Sequence, residues 1–548
     1  MKLNITVKSL KAAIKMLGPE GHKLSADTWR WSDKDPGDFV AVEVDELDIP
    51  EMEKLRDLLK GANEGSYRQV SQLLNALADP DNKGVPSLPE FPRMFKTWMA
   101  KQKHQWLFSQ EAEFHGVAYA VIKCDYEEGT RGGEPVCKIT LGYNAKLRYK
   151  THSIYVHGSD MRRSIPKILL DKNLIIGDAD LQAEYDKLQE RFNTFLTMQG
   201  EQFWCRGKAF IKSKDDYWWR EDQVSLTPKG RPTKAVLDME NARDDEGAAQ
   251  RSQVVSSVFA NGATRVPFHP MLPLFSLVHH AMMWVNAKNM GIYKYEEDVE
   301  ERLILPPSHR KLVGALVSNL EVLRMESEAE DKSRLLRSKA SSNIILAFGP
   351  PGTGKTLTGE VYAEKIKRPL YEVNSGELGI SADTIEERLK EVLERAVRLR
   401  MPILINEADV FIQARGDSLE QNAIVSVFLR LLEYHNGLVF MTTNRGDTDD
   451  AVKNRCIAEI EYGIPGSSER RRLWASLAKE FNVKMTKDDI EWAVKVFPEV
   501  VGRDIMMLIR LTSRVSVATE TEFSVPLLIE NSVFKGIKVD ERYAKENT

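Results

Sequence analysis

The chain has 548 residues, room for two to four domains of roughly 100–200 residues each, and 42% of them are apolar, so a sizeable core can be buried. A net charge of −4 and a pI of about 6.3 argue against a polybasic nucleic-acid binder, leaving scope only for a local basic patch. No stretch approaches the ~18 apolar residues of a membrane span, and the four cysteines (Cys124, Cys137, Cys205, Cys456) show no close metal-ligand spacing and read as free thiols suited to a reducing compartment.

The opening "MKLNITVKSLKAAIKMLGPEG" carries four lysines and no acid before Glu20. It reads as an amphipathic element. A mitochondrial targeting segment is the alternative, but such segments are rich in arginine, and this one has none. The rest of the first hundred residues is predicted mainly helical: "EMEKLRDLLKGA" and "YRQVSQLLNALADP" space apolar residues by three and four and end near breakers. From Trp106 the texture turns to strands. "GVAYAVIKCDY" and "EPVCKITLGYN" flank the turn-rich "EEGTRGGE" and read as a hairpin. "DADLQAEYDKLQERFNTFL" is predicted as a helix with Leu181, Tyr185, Leu188, Phe192 and Phe195 on one face, and "QFWCRGKAFI" and "DYWWREDQVSL" as further strands. The aromatic run Tyr217, Trp218 and Trp219 reads as strand packing rather than a stacking platform. The small, polar "ENARDDEGAAQRSQVV" is expected to be a linker or exposed loop around 240–262. The adjacent His279 and His280 point to different faces and lack a third ligand nearby, so packing is favoured over metal binding. "LILPPSHRKLVGALV" is read as a strand-like run, a proline break and a helix.

The strongest motif follows in "NIILAFGPPGTGKTLTGEVYAEKI". Gly349, Pro350, Pro351, Gly352, Thr353, Gly354, Lys355 and Thr356 form a complete phosphate-binding loop between an apolar strand, Ile344 to Phe348, and a helical run. The glycines let backbone N–H groups turn inward on phosphate oxygens, and the following helix adds its positive end. Lys355 is placed to reach the β/γ-phosphates, and the Thr356 hydroxyl to ligate magnesium. "RPLYEVNSGELG", "PILINEADVF" and "LVFMTTNRGD" are further strands alternating with helices, which predicts a parallel sheet with helices on both faces. Ligands of such sheets sit at the C-terminal strand ends, where Lys355, Asn406, Glu407 and Asn444 all fall.

"FGPPGTGKT", "ILINEADVF", "FMTTNR" and "VVGRDI", in this order and spacing, resemble an AAA ATPase module. The wording "EADVF…QNAIVSVFLRLLEYHNGLVFMTTNR" is most similar to a group abundant in fungi with an uncharacterised domain before the ATPase. That group in turn resembles the mitochondrial ATPases that assemble respiratory complex III. The resemblance implies an α/β fold: a P-loop NTPase parallel sheet (301–465) and a C-terminal helical lid (466–548). Ahead of these the chain divides into a helical N-terminal region (1–105), a β-rich middle domain (106–240) and a linker and lead-in segment (241–300). It implies ATP and Mg2+ as cofactors and a homo-oligomer, a hexameric ring, acting on a protein client. It makes Glu407 the group that polarises the attacking water, Asn444 the first sensor of the γ-phosphate, and Arg503 a second sensor on the lid. Arg455, in "VKNRCIAEIEYGIP", takes the place of an arginine finger for the neighbouring subunit's pocket.

Two departures bear on activity. Asn406 stands where this family has an aspartate that holds magnesium, so the oxygen is kept and the charge is lost; weakened hydrolysis is expected. "GELGISADTIEERL" lacks the aromatic of a pore loop, which favours concerted remodelling over threading of an unfolded chain. The leading reading is a remodelling ATPase; the alternatives are a nucleotide-gated scaffold with impaired hydrolysis and a nucleic-acid-stimulated motor. The expected location is the cytoplasm, with the mitochondrion as the alternative.

Overall fold

The computed structural model describes residues 2–26, 36, 39–78, 84–103, 106–109, 118–129, 133–145, 148–212, 221–227, 231–240, 254–255, 264–297, 299, 303–318, 343–415, 418–433, 435 and 437–544. Helices predominate in the N-terminal region. Ile49–Gly61 starts at a reciprocal cap between Asp48 and Glu51, and Tyr67–Ala78 packs beside it. The structure adds a small antiparallel sheet, β1 (Lys2–Thr6), β2 (Ser25–Ala26) and β3 (Phe39–Glu43), in the order β1-β3-β2. Its inward side chains, Leu3, Ile5, Val40 and Val42, are buried. The opening amphipathic element is therefore a strand that runs into the helix Val7–Leu17, capped by Thr6. These strands are five residues or fewer, and β1 and β3 pair across more than thirty residues, which local periodicity does not register.

A second sheet, β4 (Trp106–Ser109), β5 (Ala118–Glu127), β6 (Val136–Ala145), β7 (Arg148–His157) and β8 (Leu174–Ile176), runs β7-β6-β5-β4-β8. It contains the expected hairpin, paired from Ala120↔Gly142 to Glu127↔Val136. The helix Phe91–Lys101 covers one face with Phe91, Phe95 and Met99. The helix Ala179–Leu196 carries the expected apolar stripe, divided between two cores: Leu181 and Tyr185 join the N-terminal core, Phe192 and Phe195 the third sheet.

The third sheet has seven strands: β9 (Gln202–Cys205), β10 (Lys208–Lys212), β11 (Glu221–Ser225), β12 (Thr233–Leu237), β15 (Met271–Ser276), β16 (Ala281–Asn286) and β17 (Met290–Ile292), ordered β11-β10-β16-β15-β12-β9-β17. A short pair, β13 (Val254–Val255) and β14 (Thr264–Arg265), lies outside it. The linker and lead-in segment is expected at 241–300. Its second half supplies three strands of the sheet, because β15 and β16 close as a hairpin whose Leu272, Leu274, Met283 and Val285 fill the core. Residues 241–253 and 256–263 of the expected linker lie outside the described residues, as do Tyr217, Trp218 and Trp219.

The nucleotide-loop region is a five-stranded parallel sheet, β18 (Ile344–Phe348), β19 (Tyr371–Asn374), β20 (Ile403–Asn406), β21 (Val439–Thr443) and β22 (Cys456–Glu461), in the order β19-β20-β21-β18-β22. Four of these strands were legible. β22 was not, because only Ile460 in it is buried and its alternation lacks a continuous apolar run. Helices Ser467–Glu480, Lys487–Val496, Gly502–Thr519 and Val525–Ser532 form a separate C-terminal lid around Trp474, Phe497 and Leu508.

The third sheet and this region share one core. Val236 and Phe275 are buried in the same cluster as Tyr371, Leu399 and Ile403. Phe275 meets the Tyr371 ring edge-on at 5.2 Å and carries the Arg395 guanidinium 4.2 Å above its face. Arg398 reaches the fully buried Asp238 at 2.6 Å. Gly200, at φ +78°, runs so close to Leu399 that a Cβ there would sit 3.3 Å from its carbonyl oxygen.

Candidate nucleotide-binding site

The phosphate loop takes the backbone that its glycines permit. Gly349, Gly352 and Gly354 have φ of +135°, +81° and +98°. At Gly349 a Cβ would lie 2.1 Å from the Tyr462 carbonyl oxygen, so glycine is required both by backbone angle and by space. The helix Lys355–Lys365 then starts directly from Gly354. Lys355 is buried to 8% exposure, and its ammonium donates to Gly349 O (2.8 Å), Pro350 O (2.7 Å) and Asn444 Oδ1 (3.0 Å). Desolvation, and next the nearby Arg503 charge, lower its pKa from the ordinary lysine value. Two cations held this close repel each other, which a polyanion between them relieves.

β20 ends at Asn406, and Glu407 follows with φ +52°, a left-handed conformation that costs a non-glycine residue of order 1 kcal/mol. That turn brings Glu407 onto the wall of the cleft, with its backbone N–H on Thr442 Oγ1 at 3.2 Å. Asn406 itself is buried. Its Oδ1 accepts from the hydroxyls of Thr356 (3.0 Å) and Thr442 (3.2 Å), and its Nδ2 donates to Glu372 Oε1 (2.5 Å). Because Asn406 takes the Thr356 proton, the outward lone pairs of that hydroxyl stay available. Thr356 Oγ1 and Asn406 Oδ1 are the hard oxygen donors that magnesium takes, and they stand at the foot of the phosphate loop. The residues present therefore fit Mg2+, with no ionised carboxylate at the Asn406 position.

Loop, strand ends and lid converge on one cleft of about 530 Å³. Pro351, Gly352, Thr353, Gly354, Lys355, Thr356, Glu407, Asn444 and Arg503 line its polar end. Leu303, Ile304, Leu473, Leu477 and Met506 form an apolar wall of the kind a purine base packs against. Arg503, at the start of the helix Gly502–Thr519, donates its backbone N–H to Gly352 O at 3.3 Å. Arg455 does not line this cleft. It stands just before β22, and its guanidinium donates to Ala451 O (3.0 Å) and Glu433 Oε2 (3.4 Å).

Sequence reasoning missed Glu372. The signal was an acid inside the strand "LYEVN". Its partnership with Asn406 depends on the β19–β20 register, in which Asn374 faces Asn406 and Glu372 lies diagonally on the same face. The grip of the third sheet on the loop helix was missed too. Lys234 lies 4.6 Å from the centre of the Tyr293 ring and 3.6 Å from the Glu364 carboxylate, and the Tyr293 hydroxyl donates to Glu364. A second cavity of about 250 Å³ lies between that sheet and the loop helix, and Leu357 and Glu360 line both cavities.

The family model for the ATPase family associated with various cellular activities (AAA) matches residues 345–464. Fidgetin-like protein 1 of Homo sapiens is 28% identical over 180 residues, 31% of this chain and 27% of that protein. The nuclear valosin-containing protein-like protein of Mus musculus is 28% identical over 181 residues, 30% of this chain and 21% of that protein. The chain thus spans about a quarter of the length of the curated relatives it matches. The solved FIGL-1 AAA domain in complex with ADP aligns at 21% identity, with 37% of this chain and 75% of that chain covered, at a TM-score of 0.32. Residues 345–464, the parallel sheet with its phosphate loop and the helices on its faces, are an AAA ATPase domain.

Proposed function

We propose that this protein binds ATP with Mg2+, hydrolyses it slowly within an oligomeric ring, and uses the cycle to remodel a protein client held by its N-terminal half. The observation that carries the reading is the convergence of the phosphate loop, Glu407, Asn444 and Arg503 on one cleft with an apolar wall. In this reading Lys355 and the loop amides hold the phosphates, and Glu407 polarises water. Asn444, already hydrogen-bonded to Lys355, senses the γ-phosphate. Arg503 carries phosphate state to the lid through its contact with the loop. Arg455, outside its own cleft, serves the neighbouring subunit. The client-binding half responds to nucleotide directly, because the third sheet holds the loop helix at Glu364 and shares a core with the domain.

A second reading, the nucleotide-gated scaffold, is favoured by one observation: the neutral Asn406 at the metal step. One experiment separates the two. Glu407→Gln keeps the fold, since the side chain is exposed and, among the described residues, no hydrogen bond of its carboxylate supports the sheet. Steady phosphate release by the wild-type chain that falls at least about 100-fold in Glu407→Gln, with ATP binding retained, supports the ATPase. Equal, near-background release from both leaves the scaffold. Absence of ATP binding by the wild type sinks both.

A further inference from the structure

Asn406 lacks the charge that a metal-holding residue ordinarily brings, yet an acid is in contact with it. Glu372 lies on β19, diagonal to Asn406 on the face covered by the phosphate-loop helix, and its Oε1 accepts from Asn406 Nδ2 at 2.5 Å. An ionised carboxylate only accepts, so the amide must turn its NH2 to Glu372 and its carbonyl oxygen to Thr356 and Thr442. Both hydroxyls could donate or accept; the Glu372 carboxylate, which only accepts, fixes the choice. The oxygen beside Thr356 is thereby polarised by a hydrogen bond to a full negative charge on the far side of the same amide.

We propose that Glu372 is a positioning residue for the metal step. Acting through the Asn406 amide, it sets which atom faces Thr356 and supplies from the neighbouring strand the negative charge that an aspartate at 406 would have carried. Charge and ligand oxygen, which one aspartate would combine, are divided here between two strands. The inference rests on the nucleotide-binding reading above. It also means that Asn406→Asp alone does not simply restore an ordinary site, because it sets two carboxylates against each other.

The test is equilibrium binding of ADP to the full chain, with and without Mg2+, read as the gain in affinity that the metal confers. Glu372→Gln keeps an acceptor for Asn406 and removes only the charge. It is expected to cut the metal-dependent gain about 10- to 100-fold, the usual effect of removing a partner behind a metal ligand, while metal-free affinity stays unchanged. The double variant Asn406→Asp/Glu372→Gln reverses the polarity of the same hydrogen bond and moves the charge to the ligand position. It is expected to bring the gain back to the wild-type level or above, a rescue that a merely structural role would not produce. An unchanged gain in Glu372→Gln, or a double variant as weak as the single, overturns the proposal. Should the single variant not fold, the double decides alone, by a gain at or above wild type or by its loss. A wild-type chain that binds no ADP in either condition instead removes the nucleotide-binding reading, and the proposal with it.

Discussion

Phe275→Ala tests whether the third sheet and the AAA domain are one mechanical unit. Phe275 is fully buried on β15, yet its ring lies against Tyr371 of the AAA sheet and under Arg395 of the helix Ala382–Leu399. Truncating a buried phenylalanine costs about 3–5 kcal/mol. The lost edge-to-face pair and cation–π contact place this site in the upper half of that range, at about 4 kcal/mol. Because the cluster is continuous, the loss should fall on both sides of the junction. Native-state hydrogen exchange of the full chain reads it out. Peptides covering Met271–Ser276 and peptides covering Ile403–Asn406 should both exchange about 10³-fold faster, the factor that 4 kcal/mol represents. If the β15 peptides accelerate while the β20 peptides keep wild-type protection, the two regions unfold independently and the shared core couples nothing.

Other outcomes follow from single sites. Gly349→Ala sets a Cβ 2.1 Å from Tyr462 O at a φ of +135° and should lower unfolding stability by about 2–3 kcal/mol in denaturant titrations. It should also weaken ATP binding by more than tenfold; wild-type affinity in this variant would show that the loop tolerates another path. Burial holds His435 down to about 4 and His269 down to about 3, against 6.5 when unfolded. The unfolded chain therefore binds the extra protons, and stability is full above 6.5 and falls as pH drops through that value toward the folded pKa. Between about pH 7.5 and about pH 5 each histidine should cost about 2 kcal/mol in urea unfolding, and His435→Phe should flatten its share of the slope. A slope unchanged in that variant would assign the acid sensitivity elsewhere.

The sequence by itself determined what is local. Glycines spaced around Lys355 and Thr356, an apolar strand before them and a helix after them suffice for a phosphate loop, because its conformation needs only neighbouring residues. Strand–helix alternation likewise fixed the parallel sheet, and strand ends fixed the side on which Glu407 and Asn444 stand. Three things were left to the tertiary structure. β22 joins the sheet through hydrogen bonds to β18 that its half-exposed side chains do not advertise. β15 to β17 lie in a segment whose polar start read as linker, and their place in the third sheet depends on partners about 40 (β12) and nearly 90 (β9) residues back. Glu372 matters only through register: moved one residue along β19, its side chain would face the opposite core. Hydrophobic period and backbone permission are written within a few residues of themselves, whereas pairing, register and the sharing of one core between two sheets are chosen by contacts across the chain.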